Sequence, residues 1–118
     1  MPPTIHLKRV YDDPAAEDGR RVLIDGLWPR GVAKASAPFD RWTKDFAPSP
    51  ELRKWFDHRP ERFAEFTERY RAELADRTEA ARALLAEAGD APLTLLYAAR
   101  DTEHNHAVVL RAFLSELA

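Results

Sequence analysis

The sequence predicts one α/β domain with a small, mainly parallel sheet of about four strands and helices on both faces. Three observations lead to this prediction. Strand-like segments are separated along the chain by amphipathic helical segments, which is the pattern of parallel α/β folds. The apolar run at residues 92–99 suits a central strand that is covered on both faces. The length of 118 residues fits a single domain spanning residues 1–118.

Three of the predicted strands lie in the first half of the chain. Residues 5–11 alternate apolar and polar side chains, which is the period of a half-buried strand. Residues 21–25 form a short apolar run, and the Trp-Pro-Arg-Gly turn at residues 28–31 ends it because proline cannot donate to a sheet. Residues 39–45 fit either a strand or a helical turn, and we interpret them as a strand.

Helix starts are marked by capping residues. Ser49 can cap a helix whose first residue is Pro50, a combination that favours helix initiation. Pro60 opens a longer helix, and Thr78 is the predicted N-cap of the next. The last helix is predicted to start near Thr102, again as the N-cap, after the central strand.

Composition excludes several classes of function. The chain has no cysteine, so disulfides, thiolate nucleophiles and thiolate metal sites are absent. Its net charge of −2 argues against a dedicated non-specific nucleic-acid binder, but residues 1–59 carry 11 basic and 9 acidic side chains and can hold a local cationic site. No stretch approaches the roughly 20 apolar residues of a membrane span. We expect a cytoplasmic protein with no membrane partner.

Residues 100–106 carry the most reactive combination of side chains. They follow the predicted central strand, and ligands of parallel sheets bind at the carboxyl ends of the strands. Asp101 and His104 are three residues apart, so the carboxylate can orient the imidazole as an acid–base pair. We predict these two as catalytic residues and Asn105 as a hydrogen-bond donor to an anion. The alternative is that Asp101 and Thr102 simply cap a helix.

The same segment gives little support for a metal site. Glu103 and His106 are three residues apart and have suitable ligand types. His104 and His106 are two apart, however, and would point to different sides of a helix. Without a spaced ligand motif we predict no metal, and the sequence points to no particular cofactor.

The turn at residues 28–31 is a second potential ligand-binding segment. Arg30 can hold a carboxylate or phosphate with two parallel hydrogen bonds, and Gly31 lets the backbone approach a ligand. Asp25 and Trp28 are predicted to support this site, Asp25 from the end of the preceding strand. The alternative is a rigid turn in which Trp28 fills the core.

A third segment combines cations with aromatic residues. Arg53 and Lys54 stand next to Trp55 and Phe56, a combination that can bind an anion or stack on a base. More often such a turn buries its aromatics and leaves its cations in solvent. Lys8 is a further supporting cation; because it neighbours Arg9 on a strand, only one of the two can reach a given site.

Five segments together resemble a known family. They are residues 7–12, residues 22–31 with the Leu-Trp-Pro-Arg-Gly core, residues 42–45 with 47–49, residues 52–56, and residues 95–101 with 104–105, which contain Asp-x-x-His-Asn. In these the chain resembles the YeaO-like family of small bacterial proteins, a domain of unknown function. The resemblance implies an α/β domain with the motifs near one end of the sheet, and no particular reaction. Family members often have arginine where this chain has Gly26, a departure that removes one cation.

The sequence leaves three functional hypotheses. The first is an enzyme, a hydrolase or group transferase, acting on a small anionic or nucleotide-like substrate. The second is a non-catalytic module that binds a small anion or a nucleic acid with the same cations. The third is an interaction protein in which the polar motifs only maintain the fold. They differ in one geometric respect, because only the first two require Arg30, Arg53 and His104 to converge.

Overall fold

A computed structural model describes residues 4–118 and contains a four-stranded parallel sheet. The first three residues of the predicted domain lie outside the described residues. The strands stand in the order β1-β4-β2-β3, and each neighbouring pair is parallel. They are β1 (Ile5–Arg9), β2 (Arg20–Leu23), β3 (Arg41–Trp42) and β4 (Leu93–Tyr97). The prediction of a small parallel sheet is confirmed, and β3 is a two-residue strand within the ambiguous segment.

Four α-helices accompany the sheet. They are α1 (Pro50–Phe56), α2 (Phe63–Ala75), α3 (Thr78–Ala88) and α4 (His106–Leu117), with 3-10 turns at Ala16–Asp18, Lys34–Ser36 and Pro60–Arg62. Within residues 4–118, no helix has the length and apolar character needed to cross a bilayer.

The main core lies between one face of the sheet and the α-helices. All five residues of β4 are buried, as expected for a strand with a neighbour on each side. Strand residues Val22 and Leu95 pack in one cluster with Phe66 and Tyr70 of α2 and Leu110 of α4. Burial of these large apolar side chains is the principal stabilising contribution to the fold.

The opposite face of the sheet is covered by the 3-10 turn at Ala16–Asp18. The carboxylate of Asp18 is buried and accepts hydrogen bonds from Lys8 Nζ at 3.1 Å and from Arg21, while its carbonyl accepts one from the Thr94 hydroxyl at 2.7 Å. Burial alone would raise the pKa of Asp18, but the Ala15 N–H and the two cations outweigh it and lower that pKa. All four α-helices therefore pack against one face, while this 3-10 turn and a smaller apolar cluster around Leu23 and Leu96 lie on the other.

Two helix starts differ from the predictions. Helix α4 begins at His106, and its N-cap is Asn105, whose Oδ1 accepts the Val108 N–H at 3.2 Å. The prediction of Thr102 is wrong because the Asp101 carboxylate binds two backbone N–H groups at 2.9 Å and folds the segment into a turn. Thr78 is the first residue of α3 and not its cap, since its hydroxyl donates to the Ala75 carbonyl at 3.1 Å.

The start of α1 follows the prediction. The Ser49 hydroxyl oxygen accepts the Leu52 N–H at 3.2 Å, and Pro50 is the first helical residue. Glu73 of α2 accepts hydrogen bonds from both the backbone N–H and the hydroxyl of Ser49, at 2.8 and 2.7 Å. These bonds fix α1 against α2 and so fix the position of the cations that α1 carries.

Candidate functional site

A cavity of about 640 Å³ opens at the carboxyl ends of the parallel strands. The carboxyl end of β1 and the segments that follow the four strands form one part of its wall, and α1 with His58 just after it, α2 and the start of α4 form the rest. Its charged and titratable lining residues are Arg9, Asp25, Arg30, Arg53, His58, Arg100, His104 and His106. The position agrees with the general rule for ligand sites in open parallel sheets.

The cavity brings together most of the residues predicted from sequence. Asp25, Trp28, Arg30, Arg53, His104 and Asn105 all line it. Asp101 lies directly beside His104.

Four predicted residues lie outside the cavity wall, and one of them, Asp101, reaches it only through its contact with His104. Lys8 belongs to the ion cluster around Asp18 on the opposite face of the sheet, and its neighbour Arg9 reaches the cavity instead. Lys54 and Gly31 are exposed and do not line it. Gly31 has a φ of 76°, so glycine suits this position because of the backbone conformation of the turn.

Arg9 is held in place by main-chain oxygens. Its Nε donates to the Ala99 carbonyl at 2.9 Å and its Nη2 to the Ala98 carbonyl at 3.0 Å. The guanidinium also lies 5.0 Å from the centre of the Tyr11 ring. These contacts orient the guanidinium without neutralising its charge, so Arg9 makes the cavity more positive.

Three further arginines around the cavity have no protein partner. Within residues 4–118, the guanidinium groups of Arg30, Arg53 and Arg100 make no hydrogen bond or salt bridge, and all three residues are exposed. Asp25 is the one carboxylate on the described wall. A Cβ at Gly26 would lie 3.7 Å from Nη1 of Arg53, so a side chain there would stand beside this cation. The wall therefore has a clear excess of positive charge.

The turn that carries Arg30 is fixed from two sides. The Trp28 ring packs edge-on against Phe39 and Trp42, with ring centres 5.3 and 5.4 Å apart. The Tyr11 hydroxyl donates to the carbonyl of Arg30 at 3.0 Å. Both interactions hold the backbone of Arg30 at the edge of the cavity, and neither involves its guanidinium group.

The first carboxylate–imidazole pair is the one predicted from sequence. Oδ2 of Asp101 lies 3.0 Å from Nδ1 of His104, and about 35% of each side chain is exposed. The backbone N–H groups of Glu103 and His104 hold the pKa of Asp101 below its ordinary value. The ring of His104 packs edge-on against Phe63 at 5.3 Å. The pair is thus ordered on one side and open to the cavity on the other.

A second pair, Asp25 and His106, was missed by sequence reasoning. Oδ1 of Asp25 lies 3.3 Å from Nε2 of His106, and the side chains are 19% and 14% exposed. Oδ2 accepts the Ala98 N–H at 3.0 Å, while Nε2 of His106 lies 3.3 Å from the Ile24 carbonyl oxygen. Burial raises the pKa of Asp25 and lowers that of His106.

Asn105 connects the two pairs. Besides capping α4, it donates from Nδ2 to the Asp101 carbonyl at 2.8 Å, and its side chain is almost fully buried. It thereby joins the turn that carries His104 to the helix that begins with His106. A contact between Asn105 and a bound anion remains a prediction.

The described residues provide little for a metal ion. In residues 4–118, no group of three histidine, aspartate or glutamate side chains is arranged to hold one. The charged and titratable groups of the described wall are arginines, imidazoles and the Asp25 carboxylate.

Fold and site together define a small parallel α/β domain with an arginine-rich cavity at the carboxyl edge of its sheet. Residues 4–118 match a family described as the inactive DUF488-N3 subclade. The chain is 46% identical over 113 residues to the uncharacterized protein YeaO of Escherichia coli (strain K12), which covers 96% of this chain and 98% of that protein. The chain therefore belongs to this YeaO-like family, as its motifs indicated.

Mycobacterial relatives are similar over a shorter region. Identity is 50% over 72 residues to the uncharacterized protein Rv3073c of Mycobacterium tuberculosis (strain ATCC 25618 / H37Rv), with 61% of each chain covered. The uncharacterized protein Mb3100c of Mycobacterium bovis (strain ATCC BAA-935 / AF2122/97) gives the same values. No solved structure matches the chain.

Proposed function

We propose that this protein is a non-catalytic module that binds a small anionic ligand in the cavity at the carboxyl edge of the sheet. The observation that carries the proposal is the presence of Arg30, Arg53 and Arg100 around one cavity, each without a protein partner within residues 4–118. Guanidinium groups form strong paired hydrogen bonds with carboxylate and phosphate oxygens. Clustering them in a concave site also concentrates the positive potential that attracts an anion.

The family description supports binding over catalysis. The subclade to which the chain belongs is described as inactive. The cavity and its arginines need no reaction to account for them, because a binding module uses the same cations.

A reducing compartment such as the cytoplasm suits a chain without cysteine.

Substitution of Arg53 tests anion binding. We expect Arg53→Gln to weaken the binding of inorganic pyrophosphate roughly tenfold, since a hydrogen bond to a charged group is worth about 1.5–3 kcal/mol. Isothermal titration calorimetry on the full chain at low salt measures the change. Lys54→Gln is the matched control: it removes a cation from the next position of α1, outside the cavity wall.

The two variants separate a site from a general charge effect. Equal losses for Arg53→Gln and Lys54→Gln would mean that only net charge matters, and would refute the proposed site. If pyrophosphate does not bind at all, even at low salt, the proposal of an anion-binding cavity is wrong. A short single-stranded oligonucleotide in the same titration tests nucleic acid as the alternative anion, for which a steep dependence on salt is expected.

Catalysis is a second candidate function because of the pair formed by Asp101 and His104. The Asp101 carboxylate could orient the imidazole, and His104 could move a proton during hydrolysis or group transfer on a bound anion. This candidate predicts that His104→Gln abolishes turnover of a chromogenic phosphate ester while its binding is retained. Turnover no greater in the wild type than in His104→Gln excludes it.

A further inference from the structure

The balance of charge on the cavity wall indicates how many negative charges a ligand should carry. Among residues 4–118, the wall carries four arginines, Arg9, Arg30, Arg53 and Arg100, and one carboxylate, that of Asp25. Oδ2 of that carboxylate accepts the Ala98 N–H, whereas Oδ1 lies 3.3 Å from Nε2 of His106 and has no hydrogen-bond partner within residues 4–118. A ligand with one negative charge would leave most of this positive charge uncompensated. A ligand with at least two negative charges matches it better.

The placement of the three unpartnered arginines indicates the shape of the charged group. Arg30 comes from the turn after β2, Arg53 from α1 and Arg100 from the segment after β4, so they border the cavity from three separate elements. A carboxylate offers two oxygens in one plane. A phosphate monoester offers three oxygens arranged around phosphorus, which three guanidinium groups from different directions can bind together.

The remainder of the wall is mainly apolar. Trp28, Pro29, Pro48 and Phe56 contribute to it, together with Leu27, which is 65% exposed. A cavity of about 640 Å³ lies within the range of about 300–1,000 Å³ typical of sites for organic ligands. An inorganic anion could not make use of this apolar surface. A ligand that carries a flat apolar group could cover it.

From these observations we infer that the cavity takes an organic phosphate monoester, with the dianionic head among the arginines and a planar apolar body against the wall around Leu27 and Trp28. This inference rests on the proposed anion binding and adds the chemical class of the ligand. The charge of the head and the apolar body should each contribute to the affinity, and small probe molecules can vary the two independently.

Three small probes test both parts of the inference by titration calorimetry on the full chain. Phenyl phosphate has the dianionic head and the ring, methyl phosphate has the head without the ring, and benzoate has the ring with a single charge. We expect phenyl phosphate to bind about tenfold more tightly than methyl phosphate, because burial of a ring is favourable. Benzoate should bind at least tenfold more weakly than phenyl phosphate, because its carboxylate engages fewer guanidinium groups.

Two variants assign these contributions to the wall. Leu27→Ser changes an exposed side chain, so the fold should be retained, and it should weaken phenyl phosphate about threefold while leaving methyl phosphate unchanged. Arg100→Gln should weaken both phosphates by similar factors. Lys54→Gln again serves as the control and should affect neither probe.

Each outcome supports or overturns a defined part of the inference. Equal affinity for phenyl and methyl phosphate would overturn the apolar body but leave anion binding in place. Equal affinity for benzoate and phenyl phosphate would overturn the dianionic head. Binding of none of the three probes, together with no binding of inorganic pyrophosphate, would overturn the proposed function itself.

Discussion

Two carboxylate–imidazole pairs border the same cavity in different surroundings. In the outer pair, Oδ2 of Asp101 lies 3.0 Å from Nδ1 of His104, and about a third of each side chain is exposed. In the inner pair, Oδ1 of Asp25 lies 3.3 Å from Nε2 of His106, and both side chains are largely buried. The residue types are the same in both, so any difference in behaviour comes from the environment.

The surroundings act on the two carboxylates in opposite directions. Backbone N–H groups lower the pKa of Asp101, so the outer pair retains a permanent carboxylate beside an accessible imidazole. Burial raises the pKa of Asp25 and lowers that of His106. It therefore disfavours the charged form of each group in the inner pair. We therefore expect the outer pair to be the more accessible to a ligand and the inner pair to contribute more to the stability of the wall.

The largest expected effect is the loss of protein stability when the carboxylate of the inner pair is removed. Asp25→Ala removes the acceptor of the Ala98 N–H and leaves His106 without its carboxylate. We expect the free energy of unfolding to fall by about 2 kcal/mol, the cost of leaving a largely buried polar group unsatisfied. Urea unfolding followed by circular dichroism measures the change.

Asp101→Ala provides the matched comparison for the outer pair. It removes a carboxylate that accepts hydrogen bonds from two backbone N–H groups, but these groups can form hydrogen bonds with water once the carboxylate is gone. We expect a smaller loss of stability than for Asp25→Ala. If Asp101→Ala is the more destabilising of the two, the assignment of structural support to the inner pair is wrong.

The next effect in size concerns the residue that joins the two pairs. Asn105→Ala removes the N-cap of α4 and the hydrogen bond to the Asp101 carbonyl. We expect a loss of about 1 kcal/mol in the free energy of unfolding, the usual cost of losing an N-cap. Asn105→Asp should restore the cap to α4 and recover part of this stability, and urea unfolding again provides the measurement.

Thr102→Ala is the control for this helix start. Thr102 is exposed and precedes the helix by several residues, so we expect almost no change in stability. A loss at Thr102 as large as that at Asn105 would instead place the helix start where the sequence alone had suggested it.

Much of the fold could be predicted because its signals are local. The apolar run at residues 92–99 contains β4, and Ser49 with Pro50 begins α1 as expected. The convergence of Arg30, Arg53 and His104 on one cavity agrees with a general property of parallel sheets, in which strands share a carboxyl edge. Knowing the strand type was enough to expect that these side chains lie near each other.

The inner pair could not be predicted because it depends on strand order. Asp25 follows β2 and His106 follows β4, and the two meet because β2 and β4 are neighbours in the sheet. Sequence alone does not give that order. The start of α4 was misplaced for a related reason: Thr102 and Asn105 are both acceptable caps, and the choice depends on which backbone groups Asp101 binds.

The smallest expected effect is the dependence of stability on pH, and it arises from the inner pair. Burial lowers the pKa of His106, so below the ordinary value of about 6.5 the unfolded chain binds more protons than the folded one. Acidification through that value therefore removes stability. The raised pKa of Asp25 acts in the opposite sense, because the folded chain holds the carboxyl proton more tightly down to about 3.8. The two contributions partly cancel in the wild type.

His106→Gln removes the first contribution and keeps the second. Relative to the wild type, this variant should gain stability as the pH is lowered through 6.5, which thermal unfolding across a pH series measures. Thr102→Ala, at an exposed position outside both pairs, is the control and should follow the wild type across the same pH series. If His106→Gln instead loses stability in step with the wild type as the pH falls through 6.5, the burial of His106 does not link the inner pair to folding, and the contrast between the two pairs loses its basis.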